Sequence, residues 1–309
     1  MILLTEYIEP GALAWLRRRI ECFYSPNLYT RLSAMSQQLV LAKGLIVRNQ
    51  TLVTSELLAK MPHLRVVGRL GAGLDNLDRK ALAERCIEVV YAPGLNANAV
   101  AEACVLYMLA HSRSLLPADR AARAGFWQRT PFTGQELRGR VVGIIGLGAV
   151  GNRLATICQA LGCQVLTTNH GPYRGIKQVT FNELLAEADF VSVHVPLTPT
   201  TKHLIGAREL SQMKYSALLI NTSRGGVIDE DALFDALQTK QIAGAALDVR
   251  RQEPPCAGDR FHGLDNVILT PHLAGWTIEA QRATCQAVVE DVWRVLQGES
   301  PLYPAPPIL

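Results

Sequence analysis

A strand, a glycine-rich turn and a helix follow one another near the middle of the chain, and this order constrains the fold more than any other feature. The apolar run Val141–Ile145 predicts a buried strand, and Gly146, Gly148 and Gly151 follow it with the spacing G-x-G-x-x-G. Residues 154–161 then show a helical pattern, and a second strand-like run comes after them. In such a unit the first glycine permits the tight turn, the second lets a pyrophosphate approach the backbone, and the third lets helix and strand pack closely.

Glycine-rich turns also occur for structural reasons alone, but the strand–turn–helix–strand context favours a dinucleotide site. The N-terminus of the helix would present free N–H groups and the positive end of the helix dipole to the phosphates. We therefore predict cofactor binding by the whole turn, which comprises Gly146, Leu147, Gly148, Ala149, Val150 and Gly151.

Length and charge exclude several classes of protein. The 309-residue chain is 49% hydrophobic and 19% charged, and its length predicts two domains. The formal net charge is +4 without any basic tract, so we expect no nucleic-acid partner. No apolar run is long enough to cross a bilayer, and Glu6 comes too early for a signal peptide. We therefore expect a cytoplasmic protein without a membrane partner.

The cysteines are scattered along the chain. They are odd in number, form no C-x-x-C pair and lie mostly in apolar segments: Cys22, Cys86, Cys104, Cys158, Cys163, Cys256 and Cys285. This usage predicts reduced thiols in the core of a cytosolic protein rather than disulfides. We predict no metal site.

Short apolar runs alternate with helical segments on both sides of the glycine-rich turn. Strands are predicted before it at residues 2–4, 44–48, 65–68 and 87–91, and after it at 190–195, 217–220, 244–247 and 267–269. With the two strands of the turn unit, the second portion has six strands, the number of a full dinucleotide fold. Strands that alternate with helices, and that are apolar throughout, predict parallel sheets covered on both faces.

Several helices carry recognisable signals at their ends. Thr180 and Glu183 form a capping box, and Asp229 is placed to cap a helix that starts at residue 230. Further helices are predicted at 11–16, 55–61, 98–115 and 119–127, and a terminal helix at 278–296 is predicted to return to the first portion.

Three segments that follow predicted strands carry the chemistry. They place Arg224, Glu253 and His272 at the carboxyl ends of strands, where ligands bind in open α/β sheets. This set suits the reduction of a 2-keto acid. A histidine donates the proton to the carbonyl oxygen near neutral pH, and a carboxylate beside it favours the imidazolium form. An arginine clamps the substrate carboxylate through two hydrogen bonds.

Each of these residues also has an ordinary structural interpretation. His272 alone could be a loop histidine, Arg224 could pair with a surface acid, and Glu253 could be merely exposed. Together, downstream of the nucleotide turn, they favour catalysis. The alternative class is a non-catalytic dinucleotide-sensing protein of the corepressor type, which would not need all three side chains.

The chain resembles the D-2-hydroxyacid dehydrogenases, a family that includes phosphoglycerate dehydrogenases and glyoxylate/hydroxypyruvate reductases. The matching segments are GAGLDN at 71–76, GLGAVG at 146–151, HVPLT at 194–198, NTSRG at 221–225, ALDV at 246–249, EP at 253–254 and TPH at 270–272. The resemblance covers nearly all of the chain. It implies two doubly wound parallel-sheet domains, with a Rossmann cofactor domain (99–279) inserted in a flavodoxin-like substrate domain (1–98 and 280–309).

The resemblance also implies residue roles. His272 is the general acid/base, Glu253 is its partner, Arg224 binds the substrate carboxylate, and the backbone of Ala72 and Gly73 holds the same carboxylate. Asp248 contacts the nicotinamide carboxamide. Further residues implied in cofactor binding are Asn169, His170, Arg174, Val195, Pro196, Thr201, Thr222, Ser223, Arg224, Asp248, His272 and Gly275. A homodimer through the cofactor domains is implied as well.

The end of the second strand departs from the NAD-specific pattern of the family. Asn169 stands where those members carry an aspartate, the surrounding residues include no carboxylate, and Arg174 and Lys177 follow. Because a carboxylate repels a 2′-phosphate and a cation attracts it, we predict NADP(H) as the preferred cofactor, with NAD(H) as the alternative. The two cations could also be ordinary solvated loop charges.

Two further arginines follow strands of the first portion. Arg48 and Arg69 would suit a substrate with a second anionic group, such as a phosphate, a sulfonate or another carboxylate. The alternative is that they pair with acids such as Asp75 or Glu102. The identity of the 2-keto acid stays open at this point.

Overall fold

The computed structural model describes residues 1–169, 171 and 175–307. The chain divides into two compact units: the first contains Met1–Asn96 and the segment from Thr277 onward, and the second contains Ala97–Trp276. Within the described ranges, no helix is both long enough and apolar enough to cross a membrane.

The first unit is built on a sheet of five parallel strands. The strands are β1 (Ile2–Leu4), β2 (Cys22–Tyr24), β3 (Gly44–Val47), β4 (Val66–Arg69) and β5 (Glu88–Val90). Their spatial order is β2-β1-β3-β4-β5, which is the flavodoxin-like order and confirms the predicted fold of this portion. The sequence analysis missed β2, a three-residue edge strand that is only half-buried and pairs with β1.

Helices cover both faces of this sheet. They are α1 (Pro10–Arg17), α2 (Ser36–Leu41), α3 (Ser55–Ala59), α4 (Arg79–Glu84) and the C-terminal helix Ile278–Gln297. The C-terminal helix sits directly on β4, because a Cβ atom on Gly68 would lie 2.6 Å from Val292 and 2.8 Å from Val288. The carboxylate of Asp291 then accepts backbone N–H groups of the tail at 2.8 and 2.6 Å.

The second unit contains a sheet of seven parallel strands in the described ranges. The strands are β6 (Val141–Ile145), β7 (Gln164–Thr167), β8 (Ile176–Gln178), β9 (Phe190–Val193), β10 (Leu218–Asn221), β11 (Gly244–Leu247) and β12 (Val267–Leu269). Their order, β12-β11-β10-β9-β6-β7-β8, is the Rossmann order with one additional strand. The predicted total of six strands was wrong, because β8 is a short edge strand with exposed residues that pairs with β7.

The helices of the second unit confirm the predicted caps and correct two boundaries. They are α5 (Ala97–Ser112), α6 (Leu115–Arg123), α7 (Ala149–Ala160), α8 (Phe181–Glu187), α9 (Ala207–Gln212) and α10 (Glu230–Gln238). Thr180 and Glu183 form the capping box, and Asp229 caps α10. The break between α5 and α6 falls at Ser114, whose φ of 48° is left-handed. As a result, the helix predicted at 119–127 begins and ends four residues earlier.

The cysteine prediction is correct only in part. All seven cysteines are free, and Cys104, Cys158, Cys163 and Cys285 are buried, but Cys86 and Cys256 are exposed. Cys86 follows α4 in a turn with φ of 52°, and Cys256 lies in a long surface loop, so neither segment belongs to the core.

Candidate active site

The glycine-rich turn joins β6 to α7 and has the geometry of a phosphate cradle. Gly146 has φ of 100°, and a Cβ atom there would lie 2.7 Å from the carbonyl oxygen of His194. A Cβ on Gly151 would lie 2.2 Å from the carbonyl oxygen of Gly146. At Gly148, by contrast, a Cβ would project into open space. Packing thus requires glycine at positions 146 and 151. Gly148 keeps clear the space in front of the α7 N-terminus where a pyrophosphate fits.

The residue after β7 interacts with this turn. The side-chain oxygen of Asn169 accepts the backbone N–H of Leu147 at 3.0 Å, and the Asn169 N–H is 3.2 Å from the Thr167 hydroxyl. Asn169 is therefore held beside the cradle. The predicted residues His170 and Arg174 lie outside the described residues. Lys177 forms an ion pair with Glu187 at 3.1 Å.

The loop after β9 lies next to the same turn. A Cβ on Gly146 would be 3.1 Å from Val195, and Thr201 closes the loop by donating its hydroxyl to the carbonyl oxygen of Pro196 at 2.5 Å. Burial lowers the pKa of His194 to about 4, and its Nε2 lies 2.8 Å from the Ser192 hydroxyl. His194 is therefore neutral at physiological pH.

His272 and Glu253 form a hydrogen-bonded pair. The Nδ1 atom of His272 is 2.7 Å from Oε2 of Glu253, and about one third of each side chain is exposed. Burial alone would raise the pKa of Glu253, but the hydrogen bond and charge of His272, the backbone N–H of Arg250 and the charge of Arg224 together lower it. Glu253 is therefore a carboxylate through the neutral range.

The backbone of His272 is strained and is held in place by its neighbours. Its φ of 54° lies in the left-handed region, which few non-glycine residues adopt outside functional or turn positions. The His272 N–H donates to the carbonyl oxygens of Asp248 at 2.8 Å and Thr270 at 3.0 Å. This strand-end turn therefore fixes the direction of the imidazole.

The buried carboxylate of Asp248 organises the loop that follows β12. It accepts the Thr270 hydroxyl at 2.6 Å and the backbone N–H groups of Leu273 at 2.8 Å and Ala274 at 2.9 Å. The hydroxyl of Tyr107 on α5 lies 2.8 Å from the Thr270 hydroxyl, and burial raises the pKa of Tyr107 to about 12. Gly275 follows Ala274 in the same loop. Asp248 thus has a structural task on both sides of His272.

Arg224 lies in the loop after β10. The side chain of Asn221 accepts the Ser223 N–H at 3.0 Å and donates to the carbonyl oxygen of Arg224 at 2.9 Å, so it braces this loop from within. The guanidinium of Arg224 donates to the Ser223 carbonyl oxygen at 2.6 Å. The hydroxyl of Thr222 lies 3.6 Å from the buried Cys104 thiol. The predicted residues Thr222, Ser223 and Arg224 therefore form one ordered turn.

The loop of Arg224 packs directly against the loop of Glu253. A Cβ atom on Gly225 would lie 2.0 Å from the carbonyl carbon of Arg250 and 2.3 Å from the nitrogen of Arg251. Only glycine permits this approach. The structure thus brings together the loops that carry Arg224 and Glu253, and it joins Glu253 to His272.

The strand ends of the first unit contain a second polar region. The buried carboxylate of Glu6 accepts four backbone N–H groups from the loop after β3, at distances of 2.8 to 3.0 Å. The donors are Arg48, Asn49, Gln50 and Thr51. One side chain thereby fixes the loop that begins with Arg48.

Arg48 and Arg69 are both largely buried in this region. The Arg48 guanidinium contacts the Tyr7 carbonyl oxygen at 3.1 Å and the Cys285 thiol at 3.5 Å, and burial lowers its pKa. Arg69 donates to the side chain of Asn49. Its guanidinium lies against Gly71, where a Cβ atom would be 1.7 Å from Nη1. Both cations therefore have structural contacts, and Arg69 lies beside the turn that leads into Ala72 and Gly73.

Comparison with known proteins places the chain in a family. Residues 105–274 match the family model of the D-isomer specific 2-hydroxyacid dehydrogenase NAD binding domain. The (S)-sulfolactate dehydrogenase of Chromohalobacter salexigens is 37% identical over 304 residues, which cover 96% of this chain and 98% of that protein. The chain belongs to the D-isomer specific 2-hydroxyacid dehydrogenase family.

Other members of the dehydrogenase family differ in length or in the ligands bound. The D-3-phosphoglycerate dehydrogenase of Archaeoglobus fulgidus is 40% identical over 262 residues, which are 83% of this chain but only 50% of that protein. The chain therefore spans about half the length of this relative. The NADPH-dependent glyoxylate/hydroxypyruvate reductase of Sinorhizobium meliloti, solved with NADP and malonate, is 29% identical with a TM-score of 0.87; the match covers 98% of this chain and 96% of that one.

Several residues that shape the site of this dehydrogenase family member were not singled out from the sequence. Asn221 and Gly225 lie within the NTSRG motif around Arg224, and only this place in the motif could have pointed to them. Tyr107 and Arg250 act through contacts distant in sequence or through a buried ion pair, and no spacing in the sequence points to them. Across the described residues, no group of three His, Cys, Asp or Glu side chains is arranged to hold a metal ion.

Proposed function

We propose that the chain is a nicotinamide-dependent 2-hydroxyacid dehydrogenase that interconverts a 2-hydroxy acid, of D configuration, and its 2-keto acid. The observation that carries this proposal is the 2.7 Å contact between His272 and Glu253, beside the loop of Arg224, in a member of this family. A non-catalytic dinucleotide sensor has no need of this arrangement, so we do not favour that alternative.

His272 has the role of proton donor and acceptor in this proposal. Its Nδ1 faces Glu253, which leaves Nε2 as the nitrogen that can exchange a proton with the substrate oxygen. The carboxylate of Glu253 stabilises the imidazolium that is needed for reduction. In the direction of oxidation, the neutral ring accepts the hydroxyl proton instead.

Arg224 has the role of binding the substrate carboxylate. A planar guanidinium recognises a carboxylate with two parallel hydrogen bonds, and this fixes the carbonyl next to it. Arg224 also raises the positive potential near the carbonyl oxygen, where negative charge develops during reduction. The backbone of Ala72 and Gly73 is proposed to bind the same carboxylate.

The glycine-rich turn has the role of binding the pyrophosphate of the cofactor. The open space at Gly148 and the α7 N-terminus fit that group. When bound, the nicotinamide supplies the hydride for reduction or accepts it in oxidation. Further cofactor contacts stay predictions for Val195, Pro196, Thr201, Thr222, Ser223, Asp248, His272 and Gly275.

We further propose that NADP(H) is preferred over NAD(H). The support is Asn169, a neutral side chain held at the end of β7 where an acid would repel a 2′-phosphate. Of the two cations that would attract this phosphate, Lys177 forms an ion pair with Glu187, and Arg174 stays the predicted partner. Michaelis constants measured for NADPH and NADH test the preference, and a clear preference for NADH would overturn it.

The substrate is proposed to carry a second anionic group, bound with the help of Arg48 and Arg69. Two relatives support this, since their names specify phosphoglycerate and sulfolactate, which are both doubly anionic acids. The proposal predicts that 3-phosphohydroxypyruvate or sulfopyruvate is reduced with higher kcat/KM than glyoxylate or pyruvate.

We propose a homodimer formed through the second unit. The helices α5 and α6 and the segment after them expose large apolar side chains, namely Leu106, Leu109, Leu115, Leu116, Phe126 and Trp127. Such a concentration of exposed apolar side chains is typical of an association surface. Sedimentation velocity should show a dimer that Trp127→Glu converts to monomer. A cytoplasmic location remains a prediction from the sequence.

One panel of assays tests the proposed function. NADPH and NADH oxidation is followed with glyoxylate, hydroxypyruvate, 3-phosphohydroxypyruvate, sulfopyruvate and pyruvate. The reverse reaction is followed with glycolate and with the D and L forms of the four chiral 2-hydroxy acids that correspond to the other substrates. Turnover of at least one 2-keto acid, and of the D form in reverse, is the expected result. Tight cofactor binding without turnover of any of them would favour the sensor alternative.

A further inference from the structure

A buried ion-pair cluster lies immediately behind Glu253. The side chain of Arg250 is only 8% exposed, and its guanidinium binds both carboxylate oxygens of Glu230 at 3.2 and 3.1 Å. The same group donates to Asp259 at 2.8 Å and lies 4.5 Å from the centre of the Phe261 ring. One arginine therefore ties α10, the loop after β11 and the turn at residues 259–261 to one another.

The backbone of Arg250 contacts the catalytic pair itself. Its N–H donates to Oε1 of Glu253 at 2.9 Å, while Oε2 of the same carboxylate faces His272 at 2.7 Å. The two oxygens of Glu253 are thus held from opposite sides, one by a ring and one by a main-chain amide. If the amide moves, the carboxylate loses the contact that orients it toward the imidazole.

The peptide bond between Arg250 and Arg251 is also contacted by two neighbouring residues. Gly225 packs against it from the loop of Arg224, and the Arg251 N–H donates to Glu230. The described residues 250–258 form bends and turns rather than a helix or strand. The side-chain clamp on Arg250 therefore replaces the regular hydrogen bonds that would otherwise hold this segment.

We propose that Arg250 is a positioning residue, which, through its clamp by Glu230 and Asp259, holds the carboxylate of Glu253 in line with His272. This inference rests on the proposed function, because it assigns a role within the same site. The two features that it connects are the buried guanidinium of Arg250 and the backbone N–H of the same residue, which binds Glu253.

The test must distinguish the effect of Arg250 from the effects of the other charged groups around this cluster. Arg224 and His272 face Glu253, and Glu230 and Asp259 face Arg250. The pKa of Asp259 is lowered because hydrogen bonds from Arg250 and Phe261 outweigh the effect of burial. Arg251 and Arg260 pair with Asp231 on the surface.

A purely structural role is the alternative explanation for such a cluster. Breaking a buried ion pair leaves an uncompensated charge and destabilises the folded protein. That effect lowers the amount of folded protein. It does not change how the activity of the folded fraction depends on pH.

The test compares Arg250→Met with Arg251→Met. The first variant removes the buried guanidinium, and the second removes a neighbouring guanidinium that is half-exposed and contacts Asp231 at 3.1 Å. The kcat, the KM for keto acid and cofactor, and the pH profile of kcat/KM for reduction are measured on protein whose melting temperature lies well above that of the assay. Arg250→Met is expected to lower kcat roughly tenfold, with the KM for cofactor within about threefold.

The pH profile distinguishes positioning from stability. Reduction needs the imidazolium, and a misdirected Glu253 stabilises it less, so the alkaline limb is expected to move to lower pH in Arg250→Met. In Arg251→Met, the alkaline limb of the pH profile should stay at the same pH as in the unmodified protein. An unmoved limb in Arg250→Met, with a lower melting temperature, would show that the cluster is merely structural.

A second comparison keeps the proposal testable if Arg250→Met does not fold. Asp259→Asn removes one of the two acids while keeping a residue able to cap the following turn, and it should move the limb in the same direction by a smaller amount. In a Glu253→Gln background, either substitution should lower kcat/KM by less than threefold, because the two residues act through one interaction. Full additivity would contradict the proposal. Absence of turnover in the unmodified protein would overturn the proposed function rather than this inference.

Discussion

The two units place buried acids at the ends of parallel strands, but they use them differently. In the first unit, Glu6 accepts four N–H groups of one loop and thereby builds the segment that carries Arg48. In the second unit, Asp248 holds the loop of His272, while Glu253 stays one third exposed and contacts the imidazole. In the first unit, the carboxylate of Glu6 binds backbone N–H groups. The second unit has one acid that holds a loop, Asp248, and a second acid, Glu253, that contacts a histidine.

This difference explains which region can support proton transfer. A carboxylate saturated by backbone donors stabilises a loop, whereas a partly exposed acid beside a histidine tunes a group that meets substrate. The cations follow the same division. Arg48 and Arg69 are buried among structural partners, and Arg224 is half-exposed in an ordered turn.

The largest expected effect of a single change on stability concerns the structural acid. Glu6→Gln replaces one acceptor oxygen with an amide donor, so two of the four N–H groups lose their partner, and the free energy of unfolding should fall by about 3 kcal/mol. Urea denaturation, followed by circular dichroism, measures it. Glu56→Gln on the surface of α3 is the control and should change stability by less than about 0.5 kcal/mol. Equal effects of the two substitutions would show that Glu6 does not stabilise the loop after β3.

The next prediction separates cofactor binding from folding in the glycine-rich turn. Gly148→Val adds atoms to open space, so the protein should fold normally, while the dissociation constant for NADPH should rise roughly 100-fold, or about 2.7 kcal/mol. Fluorescence titration and the melting temperature are the measurements. Gly151→Ala should do the reverse and lower the melting temperature, because its Cβ would meet the backbone of Gly146. Unchanged NADPH affinity in Gly148→Val would refute the assigned cradle.

A smaller effect is expected at Glu253, the proposed partner of His272. Glu253→Gln keeps an acceptor for the Arg250 N–H but removes the charge that favours the imidazolium. The kcat for reduction should fall roughly 30-fold, and the alkaline limb of the pH profile should move to lower pH. Asp265→Asn, which changes an exposed acid, is the control. A profile that keeps its position in Glu253→Gln would mean that Glu253 does not act on His272.

The smallest predicted effect concerns the substrate preference. Arg69→Ala should raise the KM for 3-phosphohydroxypyruvate or sulfopyruvate roughly tenfold and leave the KM for glyoxylate nearly unchanged, because only the dianion loses a charge partner. Steady-state kinetics with both substrate types measure the ratio. Parallel increases for the two would show that Arg69 acts only through its contacts with Asn49 and Gly71.

The sequence predicted those parts of the fold whose signals are local. The glycine spacing, the apolar strand runs and the caps at Thr180 and Asp229 are read directly from neighbouring residues. The missed strands β2 and β8 are three-residue edges that exist only because a neighbouring strand pairs with them.

The site divides in the same way. Arg224, Glu253 and His272 could be proposed from the sequence because each follows a strand in a recognisable motif. The clamp on Arg250 was not found, since its partners are 20 and 9 positions away and a charged residue normally indicates an exposed surface. Arg48 and Arg69 both have structural contacts, so their presence in the sequence does not determine the substrate.

The most direct test of the central claim is the activity of His272→Asn. Asparagine tolerates the left-handed backbone at this position, so the variant should fold and bind NADPH with a dissociation constant within about threefold of the unmodified protein. The account predicts that its kcat for reduction of the best 2-keto acid falls by roughly 10³-fold or more. Retention of activity within tenfold, with cofactor binding intact, would show that His272 is not the proton donor.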